Sequence, residues 1–363
     1  MKALVYKGPG QRAWEAVPDP TIEFPTDVIV RIDTTTICGT DLHVLKGHVP
    51  ECRPGTTLGH EAVGTIVETG AAVGDFHIGE HVVVSGVTAC GRCRFCKERR
   101  YGQCSGGGGW MFGHLINGLQ AEYARVPFAD TSMYKVPAGL TDEQVVFVAD
   151  IMSTAMEVGV LNGGVRPGDT VAIVGAGPVG LAAIMTARLF TPGRIIAIDL
   201  ADSRLASARK FGADVTINNG TEDAIERVLE LTGGLGADVA MEAVGVPATF
   251  ELAASLVRPG GRIANIGVHG EPVSLHLEKL WSRDVTITTG LVDTYSIPQL
   301  LSLIEGGRLD PTLFATHHFP MSDVMSAYDV FADAATTKAL KVVLQGEGTA
   351  GARANEAAVT VGS

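Results

Sequence analysis

The sequence predicts an α/β plus β chain: an irregular β-barrel-like domain followed by an open, doubly wound parallel sheet. Three observations carry this reading. Up to residue 150, short β-type runs recur between Gly and Pro residues, at Ala3-Tyr6, Val28-Asp33, Gly64-Glu68, His81-Ser85 and Ala121-Val126, the spacing of a compact all-β unit. From Thr170 the rhythm changes to short apolar strands, Val171-Val174, Arg194-Asp199, Asp214-Asn218, Asp238-Glu242, Arg262-Gly267 and Val285-Thr289, with helical segments such as Asp202-Phe211 and Pro247-Leu256 between them. Strands alternating with helices make a parallel sheet. Finally, Gly175-Ala176-Gly177-Pro178-Val179-Gly180 sits between the strand Val171-Val174 and the helical run Leu181 to Phe190. A G-x-G-x-x-G in that context marks a strand-to-helix turn that cradles a pyrophosphate on backbone N–H groups.

In chain order, residues 1–150 form the first domain and 151–292 the nucleotide-binding sheet. Residues 293–344 carry a helix candidate at Ile297 to Glu305, another at Ser322 to Phe331 and a strand at Leu340-Leu344. That segment is too short for its own core, so it is expected to return and complete the first domain. Residues 345–363 are small, polar and rich in Gly and Ala, which predicts a flexible tail.

At 363 residues with 46% hydrophobic and 19% charged side chains, the chain is long enough for two full cores. A net charge of -12 disfavours nucleic acid as a partner, because phosphate binding draws on clustered Lys and Arg. Met1-Lys2-Ala3-Leu4-Val5-Tyr6 lacks a signal core, and no run of about 18 apolar residues appears, so no membrane partner and a cytoplasmic setting are expected. The densest basic run, Arg92 to Arg100, is interleaved with cysteines and reads as a metal loop.

Cys90, Cys93, Cys96 and Cys104 have the spacing C-x2-C-x2-C-x7-C. One lobe can close four thiolates tetrahedrally around a zinc with no open position, so this is a structural site. Cys52 belongs to no motif and reads as a small buried thiol.

The stretch from Ile37 to Glu61 supplies the other ligand set. Cys38 and His60 provide a thiolate and an imidazole, and Asp150, an acid inside the apolar run Phe147 to Met152, is the candidate third ligand of a catalytic zinc. The lesser alternative for Asp150 is the N-cap of a helix starting at Ile151. Glu61 is either a further or exchangeable ligand or a hydrogen-bond acceptor beside one. The metalloprotease pattern H-E-x-x-H fails, since position 64 is Gly. Asp41 suits an acceptor that orients His60, or a turn residue. Thr40 and His43 lie close to Cys38 in sequence and can pass a proton from a buried site toward solvent.

Asp199 ends the strand after the glycine-rich turn, where a carboxylate hydrogen-bonds ribose hydroxyls and repels a 2′-phosphate. That favours NAD over NADP, and Arg204 nearby weakens the preference.

Together, Thr36 to His43, Gly59-His60-Glu61, the four-cysteine lobe, Gly109-Trp110, Asp150 and the Gly175 to Gly180 turn resemble the zinc-containing medium-chain alcohol dehydrogenases, from Met1 to about Leu344. The resemblance implies a GroES-like catalytic domain and a Rossmann domain, two zinc ions per chain, NAD, and homodimers or homotetramers. It implies hydride transfer between a small alcohol and NAD, and thus alcohol, ketone or aldehyde substrates, with Cys38, His60 and Asp150 on the catalytic zinc and Thr40 and His43 as proton relay. Ala243, Val244, Gly245, Gly267, Val268 and Lys341 align with cofactor-contacting positions, beside Gly175, Gly177, Pro178, Val179 and Gly180; Trp110 and Leu291 resemble pocket-lining positions. Where many members have a cysteine, Asp150 resembles the bacterial secondary-alcohol branch. That branch often lacks the structural zinc, whose four cysteines this chain keeps. A polyol (sorbitol-type) or threonine dehydrogenase shares Cys-Gly-Thr-Asp-x-His. A non-catalytic nucleotide-binding protein would have a broken ligand set or relay, and neither is broken here.

Overall fold

The structure, a computed structural model, describes residues 1–346. It divides into two compact units, Met1–Asp150 with the residues from Asp293 on, and Ile151–Val292. The first unit opens on an antiparallel hairpin, β1 (Lys2–Gly8) and β2 (Gln11–Ala16). It continues with β3 (Val28–Thr36), β4 (Ala62–Thr69), β5 (His81–Val84), β6 (Tyr123–Val126) and β7 (Met133–Lys135). The second unit holds β8 (Thr170–Val174), β9 (Arg194–Asp199), β10 (Val215–Asn218), β11 (Ala237–Glu242), β12 (Val257–Asn265) and β13 (Thr286–Thr289). The chain then returns to the first unit with β14 (Ala315–Pro320) and β15 (Lys341–Gln345).

The organising strand of the first unit is β3, whose β-branched sequence Val28-Ile29-Val30-Arg31-Ile32-Asp33-Thr34-Thr35-Thr36 suits a pleated surface covered on both faces. Along one edge it pairs with β4; along the other, β6 takes Val28 to Arg31 and β15 takes Thr34 to Thr36. Two partners thus share one edge of β3, in a sheet whose order is β14-β15-β3-β4-β5-β7 with β6 on β3. One core gathers Val28, Val30, Ile32, Ile66, Val82 and Val84. A second, formed by Ile37, Val44, Leu58, Tyr328, Val342 and Leu344, packs the segment after β3 against the returning chain. Gln345, expected at the start of a flexible tail, instead ends β15, where it pairs with Thr34 and Pro320. The rest of the expected tail, 347–363, lies outside the described residues.

The second unit is a six-stranded parallel sheet in the order β10-β9-β8-β11-β12-β13. The strands β8 and β9 are covered on both faces, which is why they read as near-continuous apolar runs without alternation. Strand order reverses between β8 and β11, which opens a crevice at the carboxyl ends of these strands, the binding position of open α/β sheets. No single helix among the described residues is long and apolar enough to cross a membrane.

Candidate active site

Cys38 follows β3 and caps the helix Gly39–Leu45. The helix is anchored by Asp41, whose Oδ2 accepts from the Cys38 backbone N–H at 2.9 Å and from Gln120 Nε2 at 3.1 Å. Gln120 also donates to Thr36 O and accepts from the Tyr328 hydroxyl at 2.7 Å. Asp41 thereby has one oxygen fixed, and its other oxygen stands 3.3 Å from His60 Nδ1. A carboxylate at Nδ1 sets the ring's tautomer and leaves Nε2 to face a ligand. That atom lies 3.2 Å from Asp150 Oδ2, which is 3.6 Å from Cys38 Sγ.

These distances fit a metal. A tetrahedral zinc with bonds of about 2.0–2.3 Å places its ligand atoms about 3.3–3.8 Å apart. Ligand atoms of Cys38, His60, Glu61 and Asp150 all lie within 4.8 Å of one another. Glu61 Oε1 is buried with no hydrogen-bond partner among the described residues, while Oε2 takes the Lys341 ammonium at 2.5 Å. Burial, with the Glu61 charge, pushes the Cys38 thiol pKa up. Burial also opposes charge on His60, but the Asp41 carboxylate and the Asp150 bond outweigh it and hold that pKa well above its ordinary value. Three buried or half-buried acids and a thiol thus surround the Lys341 ammonium and the His60 ring, an excess of anionic donors that suits a divalent cation.

The four-cysteine lobe is formed as well. Cys90 Sγ and Cys96 Sγ are 3.9 Å apart, and Cys93 Sγ and Cys104 Sγ 4.0 Å, close to the edge of a ZnS₄ tetrahedron and far beyond a disulfide bond. Backbone N–H groups of Cys90 and Gly106 donate to Cys104 Sγ at 3.4 Å. The Cys96 N–H donates to Cys93 Sγ, and such donors pull the Cys93 thiol down to about 5, toward the thiolate that a metal takes.

In the second unit, Gly175 to Gly180 links β8 to the helix Pro178–Ala187. A Cβ on Gly180 would lie 1.8 Å from Gly175 O, so the turn closes only with glycine there; a Cβ on Gly177 would stand in open space, where a pyrophosphate approaches the backbone. The Asp199 carboxylate accepts from Ala176 N at 2.7 Å and Ala201 N at 2.9 Å, with Arg204 Nη1 3.9 Å away. Ala243 to Gly245 follow β11, and Gly267 and Val268 follow β12, at the same carboxyl edge of the sheet. Val244 and Val268 are exposed apolar side chains there.

Comparison with known proteins agrees with this geometry. The alcohol dehydrogenase GroES-like domain family matches residues 24–138, and the zinc-binding dehydrogenase family matches 178–306. An alcohol dehydrogenase of Cupriavidus necator is 41% identical over 92% of this chain and 95% of its own length. The chain belongs to the zinc-dependent medium-chain alcohol dehydrogenases. Among solved structures, zinc dependent alcohol dehydrogenase 2 of Streptococcus pneumoniae, an apo form, superposes with a TM-score of 0.92 at 47% identity, covering 96% of this chain and 99% of that one. The alcohol dehydrogenase TADH of Thermus sp. ATN1 gives 0.89 at 38% identity, covering 96% of this chain and all of that one (100%).

Within this alcohol dehydrogenase, the remaining expected residues are placed as follows. Thr40 and His43 stand three residues apart on the Gly39–Leu45 helix and so share a face, with Thr40 Oγ1 3.7 Å from Cys38 Sγ. Lys341, expected to contact cofactor, lies in the first unit, 1% exposed on its bond to Glu61. Trp110 is half-buried in the first unit and stacked on His114 at 3.9 Å, and Leu291 is exposed in the second. Cys52 is buried, with Sγ on Gly113 O.

Gln120 and Tyr328 were not foreseen. No local motif marks them, because Gln120 reaches Asp41 from 79 residues away along the chain and Tyr328 reaches Gln120 from 208 residues away. Tyr328→Phe is expected to cost about 1–3 kcal/mol, the penalty of leaving the buried Gln120 Oε1 without its donor. Urea unfolding checks this, and an unchanged midpoint would remove Tyr328 from the support of the site.

Proposed function

We propose that this alcohol dehydrogenase interconverts small secondary alcohols and their ketones with NAD. Cys38, His60 and Asp150 hold the catalytic zinc, with Glu61 beside them, and the four-cysteine lobe holds the structural one. The observation that carries this reading is the convergence of a thiol, an imidazole and a carboxylate from positions 38, 60 and 150 with spacings a zinc requires. When bound, zinc supplies a Lewis acid that lowers the pKa of an alcohol hydroxyl, and NAD supplies the hydride acceptor. Asp41 holds His60 in one tautomer. Thr40 accepts the proton of the substrate hydroxyl, and His43 carries it outward. Burial, then His48 and Lys46, lower the His43 pKa, which keeps that ring neutral and able to accept a proton below its ordinary range.

NAD is supported by Asp199, a carboxylate at the end of β9 with two backbone donors already on it. The preference for secondary alcohols rests on Asp150, where many relatives have cysteine. Six free thiols suit a reducing, cytoplasmic setting. Assembly as a homodimer or homotetramer is part of the same reading.

Initial rates with 2-propanol, 2-butanol, ethanol, sorbitol and threonine, each with NAD and with NADP, test it. The expected result is the fastest turnover on the secondary alcohols with NAD. Sorbitol or threonine winning would replace the substrate class by polyol or amino-alcohol, and a preference for NADP would overturn the role of Asp199.

A further inference from the structure

The helix that carries Thr40 and His43 ends in a turn whose sequence is Leu45-Lys46-Gly47-His48. Gly47, at φ +79°, reverses the chain, and the His48 backbone N–H then donates to His43 O at 3.0 Å. That bond brings the two imidazoles together, with Nδ1 of one 3.1 Å from Nδ1 of the other and ring centroids 5.3 Å apart. The His43 ring is half-buried and His48 is exposed.

We propose that His48 is the second station of the proton outlet, a positioning residue that acts through His43 and passes its proton to water. This rests on the reading of His43 as that outlet. Two facing Nδ1 atoms at hydrogen-bond distance require one N–H and one lone pair. When His43 donates from Nδ1, its remaining ring nitrogen, Nε2, has a free lone pair, the atom at which a proton can arrive. A proton taken there makes an imidazolium, whose Nδ1–H bond breaks as the His48 Nδ1–H bond forms. His48, now the cation, loses a proton to water, and exchange with water restores the starting tautomers. One proton enters at His43 and one leaves at His48, with no oxidant or other reactant. The charged groups acting on His43 are His48 and Lys46, both of which disfavour a standing charge on His43, so a proton arriving there is passed on.

The test is proton release from one turnover of the holoenzyme, followed in a stopped flow with a pH indicator dye, in weak and in strong imidazole buffer. His48→Gln keeps an acceptor for His43 but cannot relay a proton, and His48→Ala removes the partner altogether. Both are expected to slow proton release by about three- to tenfold in weak buffer, less than the roughly hundredfold or more of a group that acts on the substrate itself, because His48 only relays and water can take part of its place, and imidazole should restore it. The slowing should vanish when His43→Ala is already present. Wild-type release in both His48 variants, together with a slowed His43→Ala, would overturn the proposal alone. Unchanged release in His43→Ala would instead overturn the outlet reading of His43. A loss in the His48 variants that imidazole does not restore would make His48 a structural partner only and would also overturn the proposal.

Discussion

Cys38→Ser is expected to lower turnover by about a thousandfold or more and to halve the bound zinc, from one ion for each of the two ligand groups to the structural ion alone. A serine hydroxyl is shorter than the thiol and is not ionised near neutral pH, so the group loses its soft donor and the charge that goes with it. Lewis-acid stabilisation of a developing alkoxide is worth several kcal/mol, and each 1.36 kcal/mol is a factor of ten in rate. The fold should survive, because position 38 caps the Gly39–Leu45 helix and serine is a preferred cap. The Asp41 bond to the backbone N–H of residue 38 is likewise independent of its side chain. NADH affinity should persist, since Gly175 to Gly180 and Asp199 belong to the second unit. Zinc content, NADH fluorescence and thermal midpoint on one preparation separate these effects. Full turnover with both zinc ions still bound would remove Cys38 from the ligand set, whereas a lost fold would show as a collapsed midpoint.

What was legible in the sequence follows from which signals are local. β8 to β11, the glycine-rich turn and Asp199 all lie within a short span whose apolar runs and glycines have one structural meaning, and the helix Ile297–Glu305 reads directly from its apolar spacing. The four cysteines likewise sit in one loop. β2, β7 and β14 were not foreseen. β14, Ala315-Thr316-His317-His318-Phe319-Pro320, is an edge strand with polar and half-exposed positions, so no apolar periodicity announces it; its parallel pairing with β15 supplies its order. At the site, the residue types were readable but their partners were not. Asp150 carried two readings, and the 3.2 Å approach to His60 Nε2 comes from tertiary packing that spacing does not encode. Lys341 shows the same limit: a lysine at the start of a strand gives no hint that it ends on a glutamate 280 residues earlier.

Lys341→Met is expected to destabilise the first unit by about 3–5 kcal/mol, the usual cost of removing one partner from a buried ion pair. Lys341 is 1% exposed and Glu61 0%, and their charged atoms meet at 2.5 Å. Burial alone pushes the Glu61 pKa up, and the Lys341 ammonium is the largest influence that opposes it. Methionine fills a similar volume but leaves a carboxylate with Oε1 already unpartnered and Oε2 newly so. The folded variant should then hold Glu61 protonated over a wider pH range than the unfolded chain does. A raised folded pKa for an acid means that stability falls as pH rises, so the deficit should shrink toward acid pH and grow above the ordinary carboxylate range. Adding Glu61→Gln to Lys341→Met should recover much of the loss, because the stranded charge is gone, and that non-additivity distinguishes a broken pair from a packing defect. Urea unfolding of the wild type, both single variants and the double variant at fixed zinc measures the cycle. A single Lys341→Met variant as stable as wild type, at every pH tested, would mean that Glu61 is held by the metal and not by the ammonium, which would make it a ligand in its own right.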